Sequence, residues 1–336
     1  LKKLGVIRKQ DSDLSTPEGF LDWVIALALN LRTASQTAIN RESKALRQML
    51  SANWPTLTEA QITTVLGDIT GLIGKIRAQA LSLQTPFLEF SAHDTSEAAK
   101  KDWSNRYGFT GIPVFSARDL AVEQWLASST ANFMRARDGT ILTDFSAKAR
   151  DLVRVSLMEG LPQVTIAAKL KDLFGAVQST HYYNLIASQF ISTAMSYGAL
   201  RSMEESEIEL AEIVAILDFR TTDQCRFLDG KYIRVDTALD LMERLSQADS
   251  IDAVRNINPW IREGRDLEGK FLYVLGADGK KKRVADVVRS GVGTDEDKGE
   301  FKNGISPTEF PVLGIGPPPY HAFCRSMLEP VIITEG

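Results

Sequence analysis

Residues able to hold an ion or act as a nucleophile are scarce in this chain, which has three histidines and two cysteines. Only His321 has a cysteine close to it in sequence, as His321-x-x-Cys324 in "GPPPYHAFCRSMLEP". The other cysteine, Cys225, stands in "TTDQCRFLDGK". If the two segments meet in the fold, Cys225, His321 and Cys324 offer two sulfurs and an imidazole nitrogen, donors of the kind zinc prefers, and Asp223 or Asp229 could supply a fourth ligand. The same residues admit other chemistry. His321 could draw the proton from a thiol to make a nucleophile. The thiols could join in a disulfide, or all three residues could pack with His321 bonded to backbone. Residue types alone leave these alternatives open. No phosphate-binding loop, zinc-protease helix motif or dinucleotide fingerprint appears.

The elements that must position these residues belong to an ordinary globular chain. A hydrophobic content of 44% and a charged content of 24% exclude disorder and fibrous classes, and the length allows two or three domains. A net charge of −4 gives no global attraction for phosphate, so DNA contact would need a local patch. "GKKKRV" at 279–284 is the dense basic run, partly cancelled by "TDEDKGE" nearby. The most apolar stretch, "FLDWVIALALNL" at 20–31, carries Asp22 and falls short of the roughly 20 apolar residues of a membrane span, so it reads as a buried helix. The opening "LKKLGVIRKQ" lacks the apolar core of a signal peptide. With so few cysteines, synthesis in a reducing cytoplasm is expected.

Apolar periodicity predicts a helical region over 1–90, with Thr16 capping a helix that starts at Pro17. A break at "NWPTLTEAQ" is followed by a new helix, capped by Thr56 or Thr58, as far as about Leu83. Residues 91–118, punctuated by Gly108 and Pro113, read as a connector containing a short helix. A second helical region spans 119–206, interrupted at "RDGT" and "EGLP". It ends in a long helix with Tyr183, Ile186, Phe190, Ala194 and Tyr197 along one stripe. Residues 207–336 read as a small α+β domain, with Asp229-Gly230 and Asp278-Gly279 as hairpin turns. A helix is expected around Leu239, Met242 and Leu245, and a long exposed loop over 290–310. The fold class is therefore α+β: largely α-helical for the first two-thirds, then a small α+β region with β-hairpins.

Two segments of this last region resemble the Mu F-like family of phage minor head, or head morphogenesis, proteins. One runs from Arg220-Thr221 through Cys225 to Leu228-Asp229-Gly230-Lys231. The other runs from Pro318-Pro319-Tyr320-His321 to Cys324-Arg325, before a final short strand. The helical approach over "EGLPQVTIAAKLKDLFG" and "YYNLIASQFISTAMSYGALRSM" is similar too. The resemblance covers about 145–333, and residues 1–144 carry no matching motif. Where many members have the first cysteine of a Cys-x-x-Cys pair, this chain has Thr222, so a four-ligand zinc site does not carry over. Cys225, His321 and Cys324 then imply a zinc site, incomplete or completed by an aspartate such as Asp223, or a metal-free structural knot.

What the resemblance implies is a role rather than a reaction. Such proteins are low-copy components of the virion interior, associated with portal or capsid proteins, that affect head assembly, DNA packaging or the fate of packaged DNA. The expectation is a non-enzymatic virion protein made in the host cytoplasm, with portal or major capsid protein as partner and contact with packaged DNA as a further role. Other readings are a Cys/His enzyme or toxin-linked effector delivered with the particle, and a zinc-dependent nucleic-acid module. With 12 residues after Cys324, no C-terminal toxin domain is expected.

Overall fold

Helix-forming sequence with buried stripes dominates the first two-thirds of the molecule. The structure, a computed structural model, describes residues 12–14, 16–109, 113–175, 180–293 and 297–332; the opening decapeptide and part of the 290–310 loop therefore lie outside the described residues. The helices are α1 (Pro17–Leu50), α2 (Glu59–Tyr107), α3 (Ala117–Met158), α4 (Gln163–Gly175) and α5 (Thr180–Glu205). Pro17 opens α1, and Thr16 accepts a hydrogen bond from the Gly19 backbone at 3.1 Å. Thr58 and Gln61 cap α2 reciprocally, Gln61 accepting from the Thr58 backbone at 2.9 Å and Thr58 from the Gln61 backbone at 3.4 Å. Among the described residues no helix is long and apolar enough to cross a membrane.

Two expected breaks are absent. Helix α2 continues through Pro86 to Tyr107, so most of the expected connector is helix. Proline there removes one backbone bond, but Phe87, Leu88, Ala92, Ala99 and Trp103 beyond it are all buried, and their burial outweighs that loss. Helix α3 likewise runs through Arg137–Thr140; Asp138 there pairs with Arg77 of α2, and the buried stripe resumes at Phe145, Ala149 and Val153. The break at 159–162 is present, between α3 and α4.

The chain forms two compact units. One comprises Leu27–Leu88 and Thr130–Asn184. Its core joins Leu46 and Leu50 of α1, Trp54, Leu66, Ile69 and Ile73 of α2, Phe145, Ala149 and Val153 of α3, and Ile166 and Leu170 of α4. Trp54 itself lies in a single 3₁₀ turn between α1 and α2.

The second unit takes the start of α1, Glu89–Ser129 and the described residues from Leu185 onward. In it α5 lies so close to α2 that a Cβ on Gly198 would fall 2.5 Å from the Ser96 carbonyl. The predicted stripe residues Ile186, Phe190, Ala194 and Tyr197 are buried along α5. Beside them Asp119, fully buried, receives Lys100 Nζ at 2.9 Å, Arg201 Nε at 3.2 Å and the Tyr197 hydroxyl at 3.1 Å. Burial alone would raise the Asp119 carboxyl, but hydrogen bonds from Ser116 and Lys100 and the charges of Lys100 and Arg201 outweigh it and hold the carboxyl well below the ordinary range.

The α+β region follows in the same unit. Strands β1 (Leu210–Val214) and β2 (Lys231–Arg234) flank helix α6 (Asp223–Leu228), and helices α7 (Val235–Ser246) and α8 (Ile251–Ile257) come next. Strands β3 (Arg262–Asp266), β4 (Gly269–Leu275), β5 (Lys281–Arg289) and β6 (Glu300–Lys302) form an antiparallel meander. Strand β7 (Met327–Pro330) returns to the first sheet, whose order is β2-β1-β7 with both neighbours antiparallel to β1. Trp103 of α2 donates to the Leu328 carbonyl of β7 at 2.9 Å, fixing helix to sheet.

The α+β architecture agrees with the sequence reading, but one hairpin does not. Asp278-Gly279 turns β4 into β5, with Gly279 at φ 74°. Asp229-Gly230 instead turns a helix into a strand: Asp229 ends α6, Gly230 (φ 75°) leads into β2, and the partner of β2 is β1. The residues before the expected hairpin turn are helical, with Thr222 capping α6 and every residue of α6 buried. The expected helix around Met242 is likewise two, α7 and α8, the second capped by Ser250. The 290–310 loop contains the short strand β6.

Candidate metal centre

Sheet register explains why two segments distant in sequence meet. Both clasp segments attach to β1: α6 is inserted between β1 and β2, and Cys324 lies just before β7, whose Met327 pairs with Val214 at the end of β1. Cys225 and Cys324 are thus delivered to the same end of one sheet. His321 and Cys324 are the ends of a turn in which the Cys324 N–H donates to the His321 carbonyl at 3.3 Å. Phe323 adopts the left-handed φ of 57° inside it. The Pro318–Pro319 peptide leading in is cis.

Cys225 Sγ lies 3.0 Å from His321 Nε2 and 3.7 Å from Cys324 Sγ. The two cysteines are buried and His321 is half-buried. His321 Nδ1 lies 2.6 Å from the Ala322 carbonyl; a carbonyl only accepts, so Nδ1 carries a proton and Nε2 is the nitrogen that faces the sulfur. This backbone bond is the kind that fixes the tautomer of a metal-binding imidazole. Hydrogen bonding from Cys324 draws the Cys225 thiol below its ordinary pKa against the opposing effect of burial, while burial pushes Cys324 well up.

The three donors could hold a metal ion such as zinc, their ligand atoms all lying within 4.8 Å of one another. Two thiolates on one tetrahedral zinc, each at about 2.3 Å, stand about 3.8 Å apart, close to the 3.7 Å found. The same separation is far from the roughly 2.05 Å of a disulfide bond, and both cysteines are free thiols. Beside the group is a small pocket with room for about one water molecule (about 10 Å³), lined by Thr222, His321, Phe323 and Arg325 among others. It gives an approach from solvent and a place for a fourth, non-protein ligand.

Neither aspartate joins the group. Asp223 Oδ2 is engaged by Lys270 Nζ at 2.6 Å and the Ser290 hydroxyl at 2.7 Å. It ties α6 to the second sheet. Asp229 accepts from the Ala215 backbone at 2.8 Å and pairs with Lys298 at 2.6 Å. The position that would carry a further cysteine, Thr222, caps α6 by accepting from the Cys225 backbone. His181 is exposed on α5. His93 is half exposed and belongs to another cluster.

Three residues support the site through contacts that sequence reading does not show. Buried Arg226 donates to the backbone carbonyls of Asp218 (2.7 Å) and Asp297 (2.5 Å), locking the loop before α6 to the loop after β5. Arg325 reaches Asp218 at 2.6 Å, joining the two clasp segments. Gln189 of α5 donates to the His321 carbonyl at 2.8 Å. Arginine in "CRFLDG" and "CRSM" was the available signal, since its planar fork suits several acceptors at once. The basic run 279–284 lies at the β4–β5 turn; Arg283 is held by Asp266 and Asp286, while Lys280 and Lys282 are exposed.

No family model, curated protein or solved structure matches this chain.

Proposed function

We propose that this chain is a minor head protein of a phage or prophage, of the Mu F-like kind, which associates with portal or major capsid protein in the virion and acts in head assembly. The observation that carries this reading is the convergence of the two segments named in the resemblance: Cys225 of the first lies 3.0 Å from His321 and 3.7 Å from Cys324 of the second. Segments far apart in sequence that share one site fit a self-locking module. The burial of both thiols, Cys225 at 4% exposure and Cys324 at 0%, favours a structural role over a nucleophile, which needs access to substrate. In this role zinc on Cys225, His321 and Cys324 would tie the segments together, a solvent molecule completing the shell. The exposed lysines at the β4–β5 turn supply a modest surface for packaged DNA.

The test is co-purification from cells assembling the heads encoded alongside this chain. Recovery in fixed stoichiometry with portal or procapsid is expected; its absence from both overturns the role. Elemental analysis tests the metal separately. One zinc per chain is expected, and none after Cys225→Ala; zinc-free protein of unchanged thermal stability overturns the metal while leaving the assembly role to the first experiment.

A further inference from the structure

A second donor group lies in the same unit as the clasp but on different elements. His93 and Glu97 are four residues apart on α2 and so share one helical face. Glu123 of α3 faces them, with its Oε2 at 3.1 Å from His93 Nδ1, and one donor atom from each of the three lies within 4.8 Å of the others. The Glu123 side chain is 8% exposed, and its Oε1 is buried without a hydrogen-bond partner. A buried carboxylate oxygen left without a donor needs a partner such as a water or an ion. The neighbouring ammonium does not supply it: Lys100 Nζ is taken by Glu97 Oε1 at 2.8 Å and Asp119 Oδ1 at 2.9 Å.

We propose that His93, Glu97 and Glu123 form a site for a divalent cation of the manganese class. One imidazole nitrogen and two carboxylates suit a hard-to-borderline ion, and the absence of a thiolate from the set sets it apart from the zinc-type clasp. Donors at about 2.1 Å from one ion are at most about 4.2 Å apart, so closure needs only a rotamer change at the two more exposed members; His93 is 50% and Glu97 34% exposed. The same exposure gives the ion its path from solvent. The Phe115 ring, edge-on to His93 at 5.3 Å between centroids, shields part of the site. Glu97, Glu123 and Asp119 outnumber the Lys100 and Arg201 cations paired within this group, so a bound cation adds positive charge where carboxylates are in excess.

Titrating the full chain into Mn²⁺ and following loss of the free aquo-ion signal by electron paramagnetic resonance tests the site. One Mn²⁺ per chain is expected, with affinity lowered at least tenfold in Glu123→Gln and in His93→Ala and unchanged in Cys225→Ala. Glu97→Gln, on the exposed side, covers the case in which Glu123→Gln folds poorly, and is expected to weaken binding likewise. No signal loss at millimolar Mn²⁺, or equal binding by wild type, Glu123→Gln and Glu97→Gln, overturns the proposal.

Discussion

In the helical unit, Leu66, Ile69 and Ile73 of α2 meet Phe145, Ala149 and Val153 of α3 and Ile166 and Leu170 of α4, and each side chain of this core resembles its neighbours in chemistry. In the other unit the decisive groups are singular: Asp119 faces two buried cations, Arg226 gathers loop carbonyls, and two sulfurs and one imidazole meet at a sheet end. The first arrangement spreads stability over many apolar contacts, where the loss of one methyl group costs only about 0.5–1.5 kcal/mol. The second concentrates it in groups that have no substitute, because a buried charge or donor that loses its partner has no water to turn to.

The sharpest way to break this contrast is Asp119→Ala. It takes the buried carboxylate from Lys100 and Arg201, leaving them only the more exposed Glu97 and Glu204, and a loss of about 3 kcal/mol is expected, read as lost hydrogen-exchange protection in α5 and the adjoining half of α2. Metal removal follows. Zinc present at about 1,000 times its Kd would contribute about 4 kcal/mol, so a zinc-selective chelator should lower the melting temperature of wild type and have no effect on Cys225→Ala.

Asp218→Asn comes third. The Arg325 hydrogen bond holds the Asp218 carboxyl down at about 2. A depressed carboxyl contributes fully above its unfolded pKa of roughly 4 and loses that contribution as pH falls towards 2. Wild type should therefore lose about 1 kcal/mol across that window, discounted for partial exposure, and Asp218→Asn should lack this part of the acid slope in urea unfolding. Smallest is Ile73→Val in the helical core, expected at about 0.5 kcal/mol, the low end for one buried methyl group, with no effect on metal content. A cost for Ile73→Val equal to that of Asp119→Ala would erase the distinction between the two units.

The same contrast governs what could be read in advance. Cys225, His321 and Cys324 were legible because their residue types are rare, so few pairings competed. Asp223 was not: carboxylates are abundant, and nothing in sequence tells that Lys270 and Ser290, from another sheet, take its oxygen. The helical stripes were legible from periodicity, yet the end of α2 was misjudged because the local preference of Pro86 is weaker than the burial of Phe87, Leu88 and Trp103 beyond it. Asp229-Gly230 has the chemistry of a hairpin turn, but Thr222 caps a helix directly before it. The spacing of His93 and Glu97 becomes a shared face only once their segment is recognised as helix.

Strand β1, flanked by the two arms of the clasp, gives the region between them a distinct status. The chain leaves this sheet after β2 and comes back to it at β7, so α7, α8 and the whole four-stranded meander form an excursion that starts on one side of β1 and finishes on the other. With a metal ion bound, Cys225 and His321, 96 positions apart, would close that excursion into a ring. In the loop-entropy account, a cross-link around a ring of about 100 residues removes about 4.7 kcal/mol of freedom from the unfolded chain, and the figure changes only slowly with ring size. The excursion could therefore be lengthened, shortened or exchanged for another module with little change in what the closure contributes, leaving the surface it carries free to diversify while the lock stays the same.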